Sequence, residues 1–143
     1  LEEGTILASQ ACLLGNRRRL GESKVRLHLA RLVLERMEAH LRAVSYYSVT
    51  ANIRGASPEA VARHVLARPE VAGLQGPTVA PVFTPEGNGW FAVTVVVPRE
   101  RLLDAVDHLR QMGGSGITTF QVGYLFGEEC QAYRNLLRSL QER

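Results

Sequence analysis

The sequence has few cysteines and no long apolar run. Its two cysteines, Cys12 and Cys130, lie far apart and form no CxxC pair, so neither a disulfide framework nor a zinc site is indicated. No apolar stretch approaches the roughly 20 residues that cross a bilayer. A chain of 143 residues buries enough surface to fold without a metal or a disulfide. We therefore expect a protein of a reducing cytoplasm with no membrane contact.

The titratable side chains form no recognisable catalytic or metal-binding pattern. The histidines fall in segments with helical periodicity and have no obvious shared partner: His28, His40, His64 and His108. The carboxylates are scattered over predicted helix surfaces, and neither cysteine has a base near it in sequence. We expect the histidines to be helix-surface or boundary residues, and we predict neither a catalytic residue nor a metal ligand in this chain.

The basic run Arg17–Arg19 could contact phosphate, but the net charge of +3 is mild. Such a run is more often a solvated segment, and no set of stacking aromatic residues accompanies it. The aromatic residues of the predicted sheet lie mainly at strand starts, where they suit an RNA-binding sheet poorly: Tyr46, Tyr47, Trp90 and Phe91. We therefore predict no nucleic-acid partner.

Two segments precede the part of the chain with strand periodicity. Thr5–Asn16 mixes small, β-branched and aliphatic residues, which predicts one or two strands. Ser23–Val44 has apolar residues at alternating steps of three and four, which predicts an amphipathic helix of about six turns. A helix of this length could separate two domains.

From Ser45 onward the order of predicted elements is β-α-β-β-α-β. The strands are Tyr46–Ile53, Val79–Thr84, Trp90–Val97 and Ile117–Leu125, and the helices are Ala60–Ala67 and Arg99–Met112. This order predicts an α+β, ferredoxin-like sandwich with an antiparallel four-stranded sheet. A further helix, Glu128–Leu140, follows, and we expect its apolar stripe to pack on this domain or on a neighbouring subunit.

Two loops contain residues that allow a structural or a functional interpretation. Gly113–Gly116 follows a helix and precedes a strand, so it is not a phosphate loop. It is either a helix C-cap and turn, or a place where backbone amides approach a small anionic or zwitterionic ligand. Leu74–Pro81 is either a turn or a segment that presents the hydroxyl of Thr78.

The chain resembles the long-form ATP phosphoribosyltransferase family in three stretches: SQACLLGNRR (Ser9–Arg18), GLQGPTVAPVF (Gly73–Phe83) and GWFAVTVVVPRERLLDAVDHLRQMGGSGI (Gly89–Ile117). That family joins ATP to phosphoribosyl pyrophosphate in the first step of histidine biosynthesis. The resemblance covers about residues 4–119. It implies that residues 1–22 end the catalytic part, 23–44 form a connecting helix and 45–125 form an ACT-like regulatory domain. Residues 126–143 form a C-terminal helix extension that does not match the family pattern.

The resemblance also implies a regulatory role. The parent chain would be a magnesium-dependent glycosyltransferase and a homo-oligomer, dimer or hexamer. This chain lacks the phosphoribosyl-binding loop, so it would be inactive by itself and hold no cofactor. Its ACT-like domain would sense L-histidine for feedback inhibition. A freestanding ferredoxin-like module that binds a small molecule or drives oligomerisation is the alternative.

Motif positions carried over from the family imply an L-histidine site between regulatory domains of neighbouring subunits. The implied residues are Asn52, Leu74, Thr78, Val96, Ser115 and Gly116. Thr78 and Asn52 would bond polar groups of the ligand, and amides near Gly116 would meet a carboxylate. Some relatives have an acid where Asn52 stands, and the neutral amide weakens a contact with the ligand's ammonium or imidazolium.

Overall fold

A long helix precedes a βαββαβ unit and a shorter helix follows it. The computed structural model describes residues 9–85 and 87–142. The helices are α1 (Arg17–Gly21), α2 (Lys24–Ala43), α3 (Pro58–Leu66), α4 (Leu102–Gln111) and α5 (Gln131–Gln141). The strands are β1 (Tyr46–Arg54), β2 (Thr78–Thr84), β3 (Gly87–Pro98) and β4 (Ser115–Gln121). Short 3₁₀ turns lie at Pro69–Val71 and Arg99–Arg101.

The four strands form one sheet in the order β2-β3-β1-β4, and all neighbouring strands are antiparallel. This order confirms the predicted α+β, ferredoxin-like sandwich, with α2 before it and α5 after it. The outer strands are β2, which contains Pro81, and β4. The two central strands, β3 and β1, carry most of the buried residues of the sheet.

One face of the sheet packs against α3 and α4 and forms the core. Alternate residues of the central strands point into it and are almost fully buried: Val49, Ala51, Ile53, Val93, Val95 and Val97. From the helices, Val61, Val65, Val106 and Leu109 complete the same cluster. Each of the buried Val, Ile and Leu side chains contributes about 1.5–3 kcal/mol through the removal of its apolar surface from water. The alternation in β1 and β3 and the helical spacing in α3 and α4 thus direct these residues to one core.

The opposite face of the sheet, here called the uncovered face, carries polar side chains. A row of threonines crosses all four strands in register: Thr78, Thr94, Thr50 and Thr118. Paired residues of neighbouring strands point to the same face, so these hydroxyl groups lie side by side. The Oγ1 atoms of Thr50 and Thr94 are 2.9 Å apart. Threonine keeps the β-branched shape that strands favour and still leaves this face able to hydrogen-bond.

Ser57 and Pro58 define the start of α3. Ser57 precedes the helix, and its hydroxyl accepts a hydrogen bond from the backbone N–H of Ala60 at 3.2 Å. Pro58 is the first helical residue, where a missing N–H costs nothing. Ser23 caps α2 in the same way through the N–H of Arg26.

Two sequence predictions about local structure are wrong. Thr5–Asn16 was predicted as strand; residues 5–8 lie outside the described residues, and residues 9–16 form no strand. Their side chains are exposed, and a strand needs a neighbouring chain for its hydrogen bonds. The fourth strand ends at Gln121 rather than at Leu125. Its partner β1 begins at Tyr46, so the residues beyond Val122 have no strand opposite them.

After β4 the chain crosses to α2 instead of extending the sheet. The backbone N–H of Leu125 donates to the carbonyl of Ala39 at 2.9 Å. Nδ1 of His40 lies 3.1 Å from the carbonyl oxygen of Gly123. Helix α5 then packs along α2, with the guanidinium of Arg31 over the ring of Tyr133 at 5.9 Å. The last helix thus packs on the preceding helix α2 of the same chain.

Candidate ligand site

Two cavities open on the uncovered face. The first lies where β2 begins and β3 ends. Its volume is about 540 Å³. The sheet contributes Thr78, Thr94, Val96 and Tyr46, and the loop before β2 contributes Leu74. The wall opposite the sheet consists of Arg42 from α2 and of Leu125–Gly127, here called the strap. Three of the six residues implied by the resemblance therefore line one cavity.

A tight loop positions Leu74 and Thr78 at this cavity. Gly73 and Gly76 have φ angles of +97° and +96°, which favour glycine. The N–H of Leu74 donates to the carbonyl of Val96 at 3.1 Å, which joins the loop to β3. A Cβ atom on Gly73 would lie 3.3 Å from the backbone nitrogen of Val96. The loop thus lies directly against the strand, and Thr78 begins β2 beside it.

The second cavity lies further along the sheet and has a volume of about 240 Å³. Asn52 and Ser115 line it together with Val82, Thr84 and Trp90. The Ser115 hydroxyl lies 3.5 Å from the carbonyl oxygen of Asn52. Gly116 has a φ of +58°, and a Cβ there would lie 3.8 Å from Nδ2 of Asn52. The pairing of β1 with β4 shifts register between Thr50 and Asn52, so this edge is irregular.

The six implied residues therefore form two groups within one chain. Leu74, Thr78 and Val96 lie at the first cavity, whereas Asn52, Ser115 and Gly116 lie at or beside the second. Strand β3 separates β2 from β1, and Asn52 lies two residues along β1 from Thr50, which is in register with Thr78. Thr78 and Asn52 are therefore about 12 Å apart. A single chain does not bring all six residues around one small ligand.

Arg42 and the strap are not among the six residues implied for the candidate site. Nη1 of Arg42 donates to the carbonyl of Leu125 at 3.4 Å, and Nη2 donates to Glu38 at 2.9 Å. The Glu38–Arg42 spacing of four on α2 was a visible signal for an ion pair. No local signal predicts that a segment 83 residues later returns to this arginine.

Glu38 links α2 to the start of α5. Its carboxylate accepts hydrogen bonds from the backbone N–H groups of Ala132 at 2.7 Å and Gln131 at 3.1 Å. The Ala132 N–H is the main reason that the pKa of Glu38 lies below its ordinary value, and Gln131, Cys130 and Arg42 lower it further. Burial raises the pKa of the Cys130 thiol, and the neighbouring Glu38 carboxylate adds to this rise. Cys130 caps α5, so its contacts are structural.

Three of the four histidines are exposed on helices, as expected: His28, His40 and His64. His108 is buried, and its Nε2 lies 3.3 Å from the carbonyl oxygen of Val65. The expectation of a surface or boundary position is wrong for this residue, because it lies on the same face of α4 as Ala105 and Leu109. Within residues 9–85 and 87–142, no three His, Cys, Asp or Glu side chains could hold a metal ion.

No helix in the described part of the chain is both long enough and apolar enough to span a membrane.

These observations define the class of protein: a ferredoxin-like domain with ligand-sized cavities on its uncovered sheet face, preceded by a long helix. The family model "HisG, C-terminal domain" matches residues 43–124. The chain belongs to this family, which confirms the resemblance to ATP phosphoribosyltransferases.

Three similar proteins are named as ATP phosphoribosyltransferases. The chain is 42% identical over 145 residues to "ATP phosphoribosyltransferase 1, chloroplastic" of Arabidopsis thaliana, an alignment that covers 98% of this chain and 35% of that protein. It is 40% identical over 144 residues to "ATP phosphoribosyltransferase 2, chloroplastic" of the same plant, with the same coverage. It is 27% identical over 122 residues to "ATP phosphoribosyltransferase" of Candida glabrata, covering 85% of this chain and 37% of that protein. The chain spans about a third of the length of these relatives.

The family model and the alignments with relatives differ in how much of the C-terminal extension they cover. The family model ends at residue 124, just before the strap. The alignments with both Arabidopsis proteins cover 98% of this chain, so they extend through the strap and most of α5. The extension lies outside the residues that the family model matches, whereas the alignments with these two relatives include it.

Proposed function

We propose that this chain is the L-histidine-sensing regulatory region of an ATP phosphoribosyltransferase. Its membership of the HisG C-terminal domain family supports this, and so do the names of its relatives. Because the chain spans about a third of those relatives, the transfer of phosphoribose to ATP would be carried out by the rest of the polypeptide. Magnesium would act there, where substrate phosphates complete its coordination.

The arrangement of the six implied residues is the observation that best supports the proposal. They lie on one polar sheet face but in two groups, so a histidine that contacts all six must lie between two copies. One copy would supply Leu74, Thr78 and Val96, and the other would supply Asn52 and the turn at Gly116. This is the arrangement that the family resemblance implies, and it requires a homo-oligomer, dimer or hexamer.

Feedback inhibition follows from a site of this kind. A ligand bound between two copies stabilises the arrangement of subunits in which both halves of the site are in contact. It shifts the population toward that arrangement by as much as its affinities for the two states differ. Helix α2 would then connect the regulatory domain to the catalytic part. We place the protein in the cytoplasm, although the two Arabidopsis relatives are named chloroplastic.

Titration calorimetry of L-histidine into this protein, with L-arginine and L-phenylalanine as controls, tests the proposal. We expect selective heat of binding for histidine, and light scattering on the same samples should show association of copies. Binding of another amino acid instead would favour the alternative of a ferredoxin-like module with a different ligand. If none binds, the same titration on the polypeptide with the catalytic part separates a site that needs the whole assembly from a domain without this ligand.

Thr78→Ala should weaken histidine binding by about two- to tenfold, the usual effect of losing one hydrogen bond. The matched control is Thr119→Ala, which alters an exposed threonine of β4 that lines neither cavity. Both variants should unfold at nearly the parent's urea concentration. Equal histidine affinity in the parent and in Thr78→Ala would show that the first cavity is not the site.

A further inference from the structure

We infer that Arg42 is the anion-binding residue of the first cavity and binds the carboxylate of the amino-acid ligand, held in place by Glu38 and by the strap. This inference rests on the proposed function, because it takes the ligand to be a free amino acid. It adds to the six implied residues a group from α2 and a wall from the C-terminal extension.

The charge distribution in the cavity is the first argument. Among the described residues that line the cavity, Arg42 is the one with a permanent charge. The other polar groups there are neutral hydroxyls and an amide: Tyr46, Gln75, Thr78 and Thr94. A guanidinium in a partly apolar cavity is a strong attractor for a carboxylate, because charge-assisted hydrogen bonds gain strength where water is excluded. The cavity therefore favours a ligand with an anionic group.

The donors of Arg42 are the second argument. A guanidinium has five N–H groups. The carbonyl of Leu125 and the carboxylate of Glu38 accept from two of them, one on each terminal nitrogen. Three donors remain, and about a third of the side chain, 36%, is exposed. Because Arg42 lines the first cavity, we take these donors to meet a carboxylate of a ligand bound there, whose remaining lone pairs would accept from amides near Gly116 of a facing copy.

Glu38 forms an ion pair with Arg42 at 2.9 Å and also binds the start of α5. One of its oxygens, Oε2, accepts from the N–H of Ala132, and the other, Oε1, accepts from both Gln131 and Arg42. The carboxylate thus also lies at the N-terminal end of α5, where the helix dipole favours an anion. Glu38 fixes the direction of the guanidinium and is in turn held by α5.

Gly127 of the strap leaves just enough space for the guanidinium. A Cβ atom at this position would lie 2.4 Å from Nη1 of Arg42 and 3.3 Å from its Cζ. Gly127 is not among the glycines with positive φ, so alanine could adopt its backbone conformation. Gly127→Ala should therefore move the guanidinium without removing its charge and without backbone strain.

The experiment compares L-histidine with L-histidinol, in which a hydroxymethyl group replaces the carboxylate. Titration calorimetry on the parent protein should show histidine binding about tenfold or more tightly than histidinol, as expected for a charged hydrogen-bonded pair. Arg42→Gln should weaken histidine by that factor and leave histidinol unchanged, so that the selectivity disappears. Gly127→Ala should reduce the selectivity in the same direction.

Arg36→Gln is the matched control, because Arg36 is an exposed arginine of the same helix and lines neither cavity. It should bind both compounds as the parent does. If Arg42→Gln weakens histidine and histidinol equally, Arg42 only holds the strap, and the inference is wrong. The same conclusion follows if histidine binding is unchanged in Arg42→Gln. A parent protein that binds neither compound, alone or with its catalytic part, refutes the proposed function together with the inference.

Discussion

Leu109→Ala should lower the free energy of unfolding by about 3 kcal/mol, whereas Leu103→Ala on the same helix should change it by less than about 0.5 kcal/mol. Leu109 is 1% exposed and Leu103 is 75% exposed. The substitution removes three carbon atoms, and their transfer to water costs about 0.8 kcal/mol each. The cavity left between α4 and the sheet adds to this, which gives a range of about 2–5 kcal/mol.

Urea unfolding followed by the fluorescence of Trp90, the one tryptophan of the chain, measures both values. Protein concentration must be kept constant, because association of copies adds to the apparent stability. The slopes of the transitions should be unchanged, since neither substitution alters the surface exposed on unfolding by much. On heating, Leu109→Ala should unfold about 10 °C below the parent. Similar losses for both variants would show that α4 does not pack through the Leu109 face, or that Leu103 is covered in an assembly.

Two further predictions concern the start of α5. Because the pKa of Glu38 lies below its ordinary value, its carboxylate stabilises the fold at neutral pH and this contribution is lost as the pH falls through the lowered pKa. Glu38→Gln should therefore be about 1 kcal/mol less stable than the parent at pH 7, and in urea titrations this difference should shrink as the pH is lowered; a difference that does not change with pH would contradict this. The raised pKa and partial burial of Cys130 predict that Ellman's reagent modifies it more slowly than the exposed Cys12, measured in Cys12→Ser and Cys130→Ser variants. Equal rates would show that α5 does not cover this thiol.

The βαββαβ unit could be predicted from the sequence because its signals are local. Alternation in β1 places Val49, Ala51 and Ile53 on one face, and Ser57-Pro58 marks a helix start without reference to the rest of the chain. The end of β4 could not be predicted in this way. Apolar residues continue to Leu125, but the strand ends where its partner β1 ends, which is a property of the pairing.

Only part of the candidate site could be predicted from the sequence, because the rest depends on which distant segments of the chain meet. The resemblance supplied six residues, and the register of the sheet divides them into two groups, which no motif reveals. Arg42 is one of several arginines on the polar side of α2, and only the return of the strap, 83 residues later, distinguishes it. The buried position of His108 could not be predicted either. A polar residue can occupy a core position when a backbone carbonyl, here that of Val65, satisfies its ring nitrogen.

The two outer strands of the sheet also restrict how copies of this chain can assemble. A free strand edge can recruit strands from other molecules without limit, which leads to fibres or aggregates. Pro81 has no N–H to offer on the β2 edge, and the register shift opposite Asn52 disturbs the β4 edge. Pairing of a further strand with β2 or with β4 is thus hindered, while the uncovered face stays accessible. Self-complementary association through that face would close after a fixed number of copies.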